Sequence, residues 1–544
     1  MKKNKEDNAM KKSFLSLVAL LIASATFTAC SNDNETAEQS QPFNGKYTLT
    51  IEANKGGEAD SRITRALELD GKTLNATWAT TEDVFVQKGS DWATGSLKPQ
   101  EAGANTTLKG ELSDITIEPA DELTLQFPRS GEKDYTGQVG TLADIAAKYD
   151  YATASVTVAS VTGGNITTTG KANFENQQAI VKFTLIDKAD GTSALNASEL
   201  VVSDGTNSYT ITPASATSEL YVAIPGFSGK TVTLEASVGG KLYTFSRKSV
   251  TFYNGQYYEI TVKMSAVPGT LAGLFTINAS GDQVRFSQGN LQYQASTATW
   301  RFAANQMDHI GNAAGNNTFD NRETQTGWID LFGWGTSGYN HGATAYQPWS
   351  FSTTSSDYYA YGNSSKNLYD ENGKADWGYN AISNGGNKEN SGWRTLTQKE
   401  WEYVLNRDDN KDKAYGRTDA YRFGKAKIHD VYGVIIFPDG FDPTALGVTI
   451  GDLNPQFSSS FTSYSNDDWA KMEAAGVVFL PAADFRDGNF IKGYNDGNAG
   501  YYWTSTAYSD LQAIALYFYE GTNSVFTGAC KNYKGYSVRL AKNK

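Results

Sequence analysis

The side chain with the greatest chemical reactivity in the sequence is the thiol of Cys530, because a thiolate can attack a substrate or bind a soft metal ion. A lone nucleophilic thiol needs a general base nearby, and no histidine follows His429 in the sequence. The other two histidines, His309 and His341, lie too far from His429 in sequence to indicate a zinc site. We therefore expect a protein that is not an enzyme, with no catalytic residues, no metal and no cofactor.

A second motif begins like a metal site and then departs from it. The run Asp408-x-Asn410-x-Asp412 starts like a calcium-binding loop. However, Lys413 stands at the position of the turn glycine, and Asp419 replaces the bidentate glutamate. The spacing therefore predicts an ordinary polar loop.

One helix start is clearly marked in the C-terminal half of the chain. Thr397 and Glu400 form a capping box, in which each residue satisfies a backbone N–H of the other at the first turn of a helix. Trp401, Val404 and Leu405 then fall on one apolar face. This pattern predicts a helix whose role is structural.

Two further helices are expected from local signals. One begins at Ser465, buries Trp469 and Met472, and stops at Gly476. Another is a short helix near residues 142–149. The rest of the sequence favours strands and loops.

The N-terminus has the features of an export signal. Lysines precede an apolar run from Phe14 to Ile22, which is too short to span a membrane as a helix. The segment Phe27–Cys30 resembles the lipobox of bacterial lipoproteins, which implies acylation of Cys30. Residues 1–29 are then a signal peptide, and the polar residues 30–44 are a flexible tether.

Charge and anchoring limit the class of partner. Removal of residues 1–29 takes away five lysines and two acidic residues and moves the formal charge from −12 to −15. Such a surface repels phosphate backbones, so we expect no nucleic acid partner and attachment to outer-membrane lipid through acylated Cys30. The acidic Ser31–Glu35 resembles the signal that exports Bacteroidetes lipoproteins to the cell exterior. The resemblance implies a surface-exposed protein of the outer membrane.

Short runs of alternating apolar and polar residues follow the tether. Residues 221–224, 232–238 and 258–264 alternate with a period of two, which is typical of half-buried antiparallel strands in β-sandwiches. The turn-rich Ser265–Gly269 predicts a hinge, after which Trp, Tyr, Asn and Gly become frequent. We expect a mainly β chain with an α+β domain at its C-terminal end.

Four motifs occur in order within residues 45–265: Thr64–Trp78, Gly140–Val156, Phe174–Asp187 and Gly255–Met264. With these motifs the region resembles the fimbrillin family of Bacteroidetes. The resemblance implies two transthyretin-like β-sandwich lobes, at 45–149 and 150–266. In pilus-forming members an arginine-specific protease removes a leading strand, and a neighbouring subunit fills the gap. Arg65 is the residue this would implicate, although an uncut linker and a strand at Lys46–Ile51 that completes its own sheet are favoured here.

The segment Arg394–Tyr403 resembles the signature of formylglycine-generating enzymes, whose fold is a variant of the C-type lectin-like fold, although Leu396 replaces the usual proline. Residues 273–541 are more similar to non-catalytic lectin-like domains of the Fibrobacter major paralogous type, which implies a C-type lectin-like domain at 267–544. The enzymes bind copper with two cysteines near the C-terminus, whereas this region has only Cys530. An oxidase-like function is therefore the least favoured reading. The motifs of the second resemblance are Val284–Tyr293, Trp300–Ala303, Asp330–Asn340, Phe479–Gly488, Tyr501–Thr506 and Gly535–Leu540.

The resemblance also implies where a ligand would bind. In lectin-like proteins diversified by retroelements, the variable residues near the C-terminus form the ligand surface. The corresponding aromatic and polar side chains suit a glycan or a protein epitope, although solvated loop residues are an equal alternative. The predicted ligand residues are Tyr508, Asp510, Gln512, Tyr519, Glu520, Asn523, Phe526, Lys531, Asn532 and Tyr533.

These observations lead to one favoured function and one alternative. The favoured function is a non-catalytic surface lipoprotein, an adhesin or receptor, in which two lobes form a stalk and the C-terminal domain binds a host or bacterial surface glycan or protein. The alternative is a structural subunit of a pilus or of a pilus tip that binds other fimbrillin subunits by strand exchange.

Overall fold

Short strands dominate the computed structural model, as the alternating sequence pattern predicts. The described residues from Gly45 onward belong to one compact unit. Within the described ranges, no helix is both long and apolar enough to cross a membrane. The structure describes residues 45–55, 68–70, 73–128, 134–311, 316, 322–405, 422–451, 460–492, 498–519 and 525–544.

The first lobe is a ten-stranded sheet with the order β5-β4-β8-β9-β10-β1-β7-β6, to which β11 and β12 add at β1 and β9. β1 pairs antiparallel with β7 and parallel with β10, so this strand completes its own sheet. Its alternate residues Tyr47, Leu49 and Ile51 are buried in the core. The strands are β1 (Tyr47–Asn54), β2 (Glu68–Asp70), β3 (Thr73–Asn75), β4 (Phe85–Lys88), β5 (Asp91–Trp92), β6 (Lys98–Pro99), β7 (Asn105–Leu112), β8 (Glu122–Phe127), β9 (Ala152–Thr162), β10 (Asn165–Thr168), β11 (Ala172–Asn173) and β12 (Glu175–Asn176), with β2 and β3 paired to each other.

The first lobe extends beyond the boundary predicted between residues 149 and 150. β9 pairs with β8 along its first half and with β10 along its second half. Because β9 takes part in both halves of the sheet, side chains of β1 and β8 share one core, as in a sandwich. The sheet therefore continues to Asn176, and the predicted boundary lies ahead of its last strands.

The predicted short helix is present as α1 (Leu142–Lys148), capped by the side chain of Thr141.

The second lobe is a seven-stranded sheet with the order β15-β14-β17-β18-β19-β13-β16. Most neighbours are antiparallel as predicted, but β13 and β19 are parallel. The predicted hinge at Ser265–Gly269 is wrong, because β19 continues through it and pairs with β18 as far as Leu271. The strands are β13 (Ala179–Asp187), β14 (Glu199–Ser203), β15 (Ser208–Ile211), β16 (Glu219–Ile224), β17 (Phe227–Val238), β18 (Lys241–Phe252) and β19 (Tyr257–Leu271).

The C-terminal domain combines small sheets with short helices. Its early strand β21 pairs with its last strand β35, which closes the domain on itself. The sheet orders are β20-β21-β35-β25, β23-β22-β24, β28-β26-β27-β29, β30-β31 and β32-β33-β34. The strands are β20 (Phe275–Thr276), β21 (Gln283–Phe286), β22 (Leu291–Gln294), β23 (Thr299–Phe302), β24 (Trp328–Ile329), β25 (Trp393–Thr395), β26 (Phe423–Ile428), β27 (Val431–Ile436), β28 (Thr462–Ser463), β29 (Val478–Pro481), β30 (Phe485–Asp487), β31 (Phe490–Lys492), β32 (Ala499–Ser509), β33 (Gln512–Tyr519), β34 (Phe526–Lys531) and β35 (Leu540–Asn543).

Both predicted helices of this domain are confirmed. α2 (Gln398–Val404) begins at Thr397 with both hydrogen bonds of the capping box, and Trp401 is fully buried. α3 (Pro443–Leu446) is a single turn. α4 (Asn466–Ala474) begins at Ser465 and buries Trp469 and Met472. Single 3-10 turns lie at Ala295–Thr297, Arg322–Thr324, Ser355–Asp357, Glu371–Gly373 and Trp377–Tyr379.

The second lobe and the C-terminal domain contact each other through named polar groups. The guanidinium of Arg285 lies 2.6 Å from a carboxylate oxygen of Glu235. The hydroxyls of Ser198 and Ser237 donate hydrogen bonds of 3.2 and 3.1 Å to the carbonyl of Ala474, at the end of α4. Together with the unbroken β19, these contacts make the connection a packed junction.

Candidate functional site

The predicted ligand residues lie at two ends of the three-stranded sheet β32-β33-β34. Ser509 pairs with Gln512 at the turn of the hairpin, whereas Tyr517 pairs with Phe526 near the opposite end. Gln512 and Tyr519 are the first and last residues of β33, so roughly 20 Å separate them along an extended strand. A single small ligand cannot contact both ends.

The turn end carries exposed side chains of the kind that a binding surface needs. Tyr508 is 60% exposed, and Asp510 and Lys531 are also exposed. Gln512 is half-buried and pairs with Lys531 across the sheet. Four of the predicted residues therefore lie around one hairpin turn.

The far end is more enclosed. Tyr519 and Phe526 are half-buried, and the ring of Phe526 stacks on Tyr517 with a centroid distance of 5.6 Å. The backbone carbonyl of Tyr519 accepts a hydrogen bond of 3.1 Å from Lys425. The predicted residues Glu520 and Asn523 lie outside the described residues.

The structure places Asn532, another of the predicted ligand residues, in the interior. Asn532 is only 1% exposed, and its Nδ2 donates a hydrogen bond of 3.1 Å to the carbonyl of Ser355. Its backbone N–H donates to the carbonyl of Leu511, and its own carbonyl accepts from Trp334. Asn532 is therefore a buried connector between the hairpin turn and the segment around Ser355. The neighbouring Tyr533 is half-buried, with the ammonium of Lys534 5.2 Å from its ring.

Beside that segment lies a solvent-open cleft of about 540 Å³ that the sequence reasoning did not find. Clefts of this size are typical of ligand sites in proteins. Its walls combine two aromatic rings with hydroxyl, amide and carboxylate groups. The lining residues are Glu323, Thr324, Thr344, Ala345, Gln347, Trp349, Ser350, Phe351, Ser352 and Asp357.

Buried side chains hold the backbone of the cleft wall in place. Arg486, which is 4% exposed, donates hydrogen bonds to the carbonyls of Ser350 and Gly488 at 2.8 and 3.0 Å. Burial lowers the pKa of this guanidinium, which nevertheless stays cationic at neutral pH. The hydroxyl of Tyr358 donates to the carbonyl of Ser352 at 2.9 Å. The wall is thus fixed before any ligand arrives.

The aromatic rings of the cleft differ in how they are held. Trp349 stacks on Tyr293 with a centroid distance of 5.8 Å and an interplanar angle of 23°, which fixes the indole plane. Phe351 is 45% exposed and presents its ring to solvent. A sequence signal for this site does exist, since Thr344–Tyr359 is rich in aromatic and hydroxyl side chains. The sequence of this segment does not identify the cleft by itself, because Arg486 of β30 and Asn532 hold the segment in place and both are distant in sequence.

The cleft is acidic in character. Glu323 and Asp357 supply two carboxylates, and none of the ten lining residues is basic. The hydroxyl of Ser352 donates a hydrogen bond of 2.6 Å to Asp357, which orients that carboxylate. This combination suits ligands rich in hydroxyl groups and disfavours anions.

The environment of the Cys530 thiol does not activate it for chemistry. Cys530 pairs with Ala513 in the sheet and packs against the aromatic core. Burial raises the pKa of the Cys530 thiol, although a hydrogen bond with Tyr536 and the charge of Lys534 oppose the shift. The thiol is therefore protonated at neutral pH, unlike an activated nucleophile.

Several predicted features lie outside the described residues. These are the lipidation residue Cys30, the processing residue Arg65 and the loop from Asp408 to Asp412. β1 precedes Arg65 in the sequence and is paired on both sides. Among the described residues, no group of three or more His, Cys, Asp or Glu side chains is placed to hold a metal ion.

Comparison with known proteins gives a partial picture. A family model described as a domain of unknown function, DUF8237, matches residues 420–541, which is the later part of the C-terminal domain. No curated protein matches the chain.

Several solved structures are similar to the chain at low identity. A putative cell adhesion protein from Bacteroides uniformis is 12% identical, with 42% of this chain and 98% of that chain covered and a TM-score of 0.23. A fimbrial assembly protein from Parabacteroides distasonis is 9% identical, with 47% and 99% covered and a TM-score of 0.24. A fimbrial protein from Bacteroides ovatus is 11% identical, with 92% and 99% covered and a TM-score of 0.19. At such scores these structures decide neither the fold nor the function.

Proposed function

We propose that the protein is a non-catalytic adhesin of the cell surface, anchored through acylated Cys30, whose C-terminal domain binds a surface glycan. In this proposal two fimbrillin-like lobes form the stalk and the C-terminal domain has a C-type lectin-like fold. The observation that carries the binding function is the cleft between Glu323 and Asp357, with its fixed indole of Trp349. The hairpin turn at Tyr508 extends the same surface.

A glycan is the ligand class that this chemistry fits best. Sugar rings present C–H faces that stack on aromatic side chains, and hydroxyls that pair with carboxylates and amides. The cleft offers the rings of Trp349 and Phe351 for stacking. Glu323, Asp357 and Gln347 supply hydrogen-bonding groups for the hydroxyls.

Proximity supports one continuous ligand surface. Asn532 contacts both Leu511 at the hairpin turn and Ser355 at the cleft wall. The hairpin turn that carries Tyr508 and Asp510 is thus joined through Asn532 to the segment beside the cleft, whereas Tyr519 and Phe526 lie at the far end of β33 and β34. We assign Tyr508, Asp510, Gln512 and Lys531 to the edge of the binding surface.

The test is binding of the purified protein to an array of immobilised surface glycans and proteins. We expect binding to particular glycans, with the glycan recovered chemically unchanged. The Trp349→Ala variant should lose at least about tenfold in affinity, or ~1.4 kcal/mol. The matched control is Tyr253→Ala, since Tyr253 is 65% exposed on the second lobe. Binding to proteins alone, or turnover of a bound ligand, would contradict the proposal.

Assembly into a pilus is the alternative, and it makes a different prediction. Cleavage after Arg65 would separate β1 from the chain and open a gap between β7 and β10. The surface extract would then contain ladders of higher oligomers, and the mature N-terminus would follow Arg65. A lipid-bearing N-terminus and monomers alone would count against it.

A further inference from the structure

The first lobe contains a lysine that is removed from solvent. Lys55 follows the last residue of β1 and is 0% exposed. Its ammonium nitrogen lies 4.0 Å from the ring centroid of Phe127 and 4.7 Å from that of Trp78. Burying an amine among aromatic rings is costly unless other groups compensate for the lost water.

Two buried carboxylates compensate for it. Lys55 Nζ lies 2.9 and 3.0 Å from the two oxygens of Glu82, and 3.4 Å from Oδ2 of Asp150. Glu82 and Asp150 are each only 5% exposed. The backbone N–H of Ala79 donates to Glu82 at 3.1 Å and holds that carboxylate in place.

The two carboxylates differ in how they are satisfied. Glu82 binds Lys55 with both oxygens. In contrast, Oδ1 of Asp150 is buried and has no hydrogen-bond partner among the described residues. A buried carboxylate oxygen without a partner destabilises the folded state. Loss of an oxygen from Asp150 would therefore stabilise the buried cluster more than loss of an oxygen from Glu82.

We propose that Lys55 and Asp150 condense to an intramolecular isopeptide bond, with Glu82 as the proton carrier. The ammonium of Lys55 gives one proton to Asp150 through Glu82, so that a neutral amine faces a neutral carboxylic acid and Glu82 is again a carboxylate. The amine attacks Cγ of Asp150 and forms the C–N bond, and the nitrogen then gives a second proton to Glu82. The hydroxyl of Asp150 leaves as water with the proton returned by Glu82, and the remaining amine proton stays on the amide.

The atoms and charges of this reaction balance, because an ammonium and a carboxylate become an amide and one water. No oxidant or other reactant is needed. Glu82 is a carboxylate before and after. The reaction also removes two charges from the apolar interior, and with them the desolvation penalty of the pair.

The bond would fix the first strand of the lobe to its last strands. Lys55 directly follows β1, and Asp150 lies two residues before β9, which runs beside β10 and β8. The cross-link encloses a long loop, and closing such a loop stabilises a fold mainly by restricting its unfolded state. A surface protein whose only cysteine beyond Cys30 is Cys530 would gain a covalent staple in this way. Cleavage after Arg65 would then leave β1 attached.

Mass spectrometry of the purified, denatured protein tests the proposal. We expect a mass lower than that of the processed sequence by one water. A tryptic digest should contain a branched peptide that joins the segments starting at Tyr47 and Tyr149, with no cleavage after Lys55. The full mass, together with separate linear peptides for Lys55 and Asp150, would overturn the proposal.

Variants identify the role of each group. Lys55→Arg keeps a cation but cannot condense in this way, so its mass should match its sequence. Glu82→Gln should also keep the full mass, because the proton carrier is lost. A Glu82→Gln variant whose mass is lower by one water would contradict the role of Glu82 as proton carrier. The control is the exposed pair Lys98 and Asp83, at 2.7 Å, whose peptides should remain linear.

Discussion

Asn532 donates a hydrogen bond from its Nδ2 to the carbonyl oxygen of Ser355 at 3.1 Å, across a separation of 177 residues in sequence. This bond joins the C-terminal segment, where the predicted ligand residues lie, to the segment between Ser352 and Asp357, two residues that line the aromatic cleft. It explains why a residue expected to contact ligand is buried. Asn532 acts as a positioning residue for the cleft.

We expect Asn532→Asp to destabilise the domain and weaken ligand binding together. The substitution keeps the size of the side chain but replaces its donor, so a carboxylate oxygen faces the carbonyl of Ser355. The cost should be about 1–3 kcal/mol in the free energy of unfolding. Chemical denaturation measures it, with Asn165→Asp on an exposed position of β10 as control. Equal stability of both variants would show that the bond does not position the wall.

The capping box of α2 gives a prediction about stability alone. The hydroxyl of Thr397 accepts from the N–H of Glu400 at 3.2 Å, and Arg394 binds the same glutamate with two contacts of 2.8 Å. Thr397→Ala should lower the free energy of unfolding by about 1 kcal/mol. Thermal unfolding measures the change, with the exposed Thr80→Ala as the control. Ligand affinity should not change, since the cap lies outside the cleft.

The reactivity of Cys530 should depend on pH in a defined direction. Burial raises the pKa of this thiol above its ordinary value, so the thiolate fraction at neutral pH is smaller in the folded protein than in the unfolded chain. Alkylation at neutral pH should therefore be slower in the folded protein, and its rate should rise as the pH becomes alkaline. Alkylation of the folded protein faster than that of the denatured chain would indicate an activated thiol and support an enzymatic function.

The carboxylates of the cleft distinguish a neutral glycan from a cationic ligand. Because hydroxyl groups carry no charge, their binding to Glu323 and Asp357 should be insensitive to added salt. Asp357→Asn should weaken it through the lost acceptor, because its amide nitrogen can only donate. Titration at low and high salt measures both effects. A steep loss of affinity with salt would point to a cationic peptide.

Local signals in the sequence predicted the helices correctly. The cap at Thr397, the cap at Ser465 and the stop at Gly476 each depend on residues within one or two turns. The mainly β fold is also predicted correctly, because apolar and polar residues alternate along a strand that has one face buried.

Features that depend on contacts between residues distant in sequence cannot be predicted from local sequence patterns. Ser265–Gly269 has turn-forming residues, yet pairing with β18 holds it as part of β19. The boundary predicted near residue 150 precedes β9, which pairs with strands in both halves of the first sheet. The cleft needs Arg486 and Asn532 to hold a loop more than a hundred residues away. No local pattern contains that information.

The most direct test is the affinity of four proteins for one glycan identified on the array: the unmodified protein, Phe351→Ala in the cleft, Tyr508→Ala at the hairpin turn and Tyr519→Ala at the far end of β33. We predict a marked loss for Phe351→Ala, a smaller loss for Tyr508→Ala and no change for Tyr519→Ala, with equal melting temperatures for Phe351→Ala and Tyr508→Ala. Unchanged affinity in the cleft variant, with loss in Tyr519→Ala, would contradict the account.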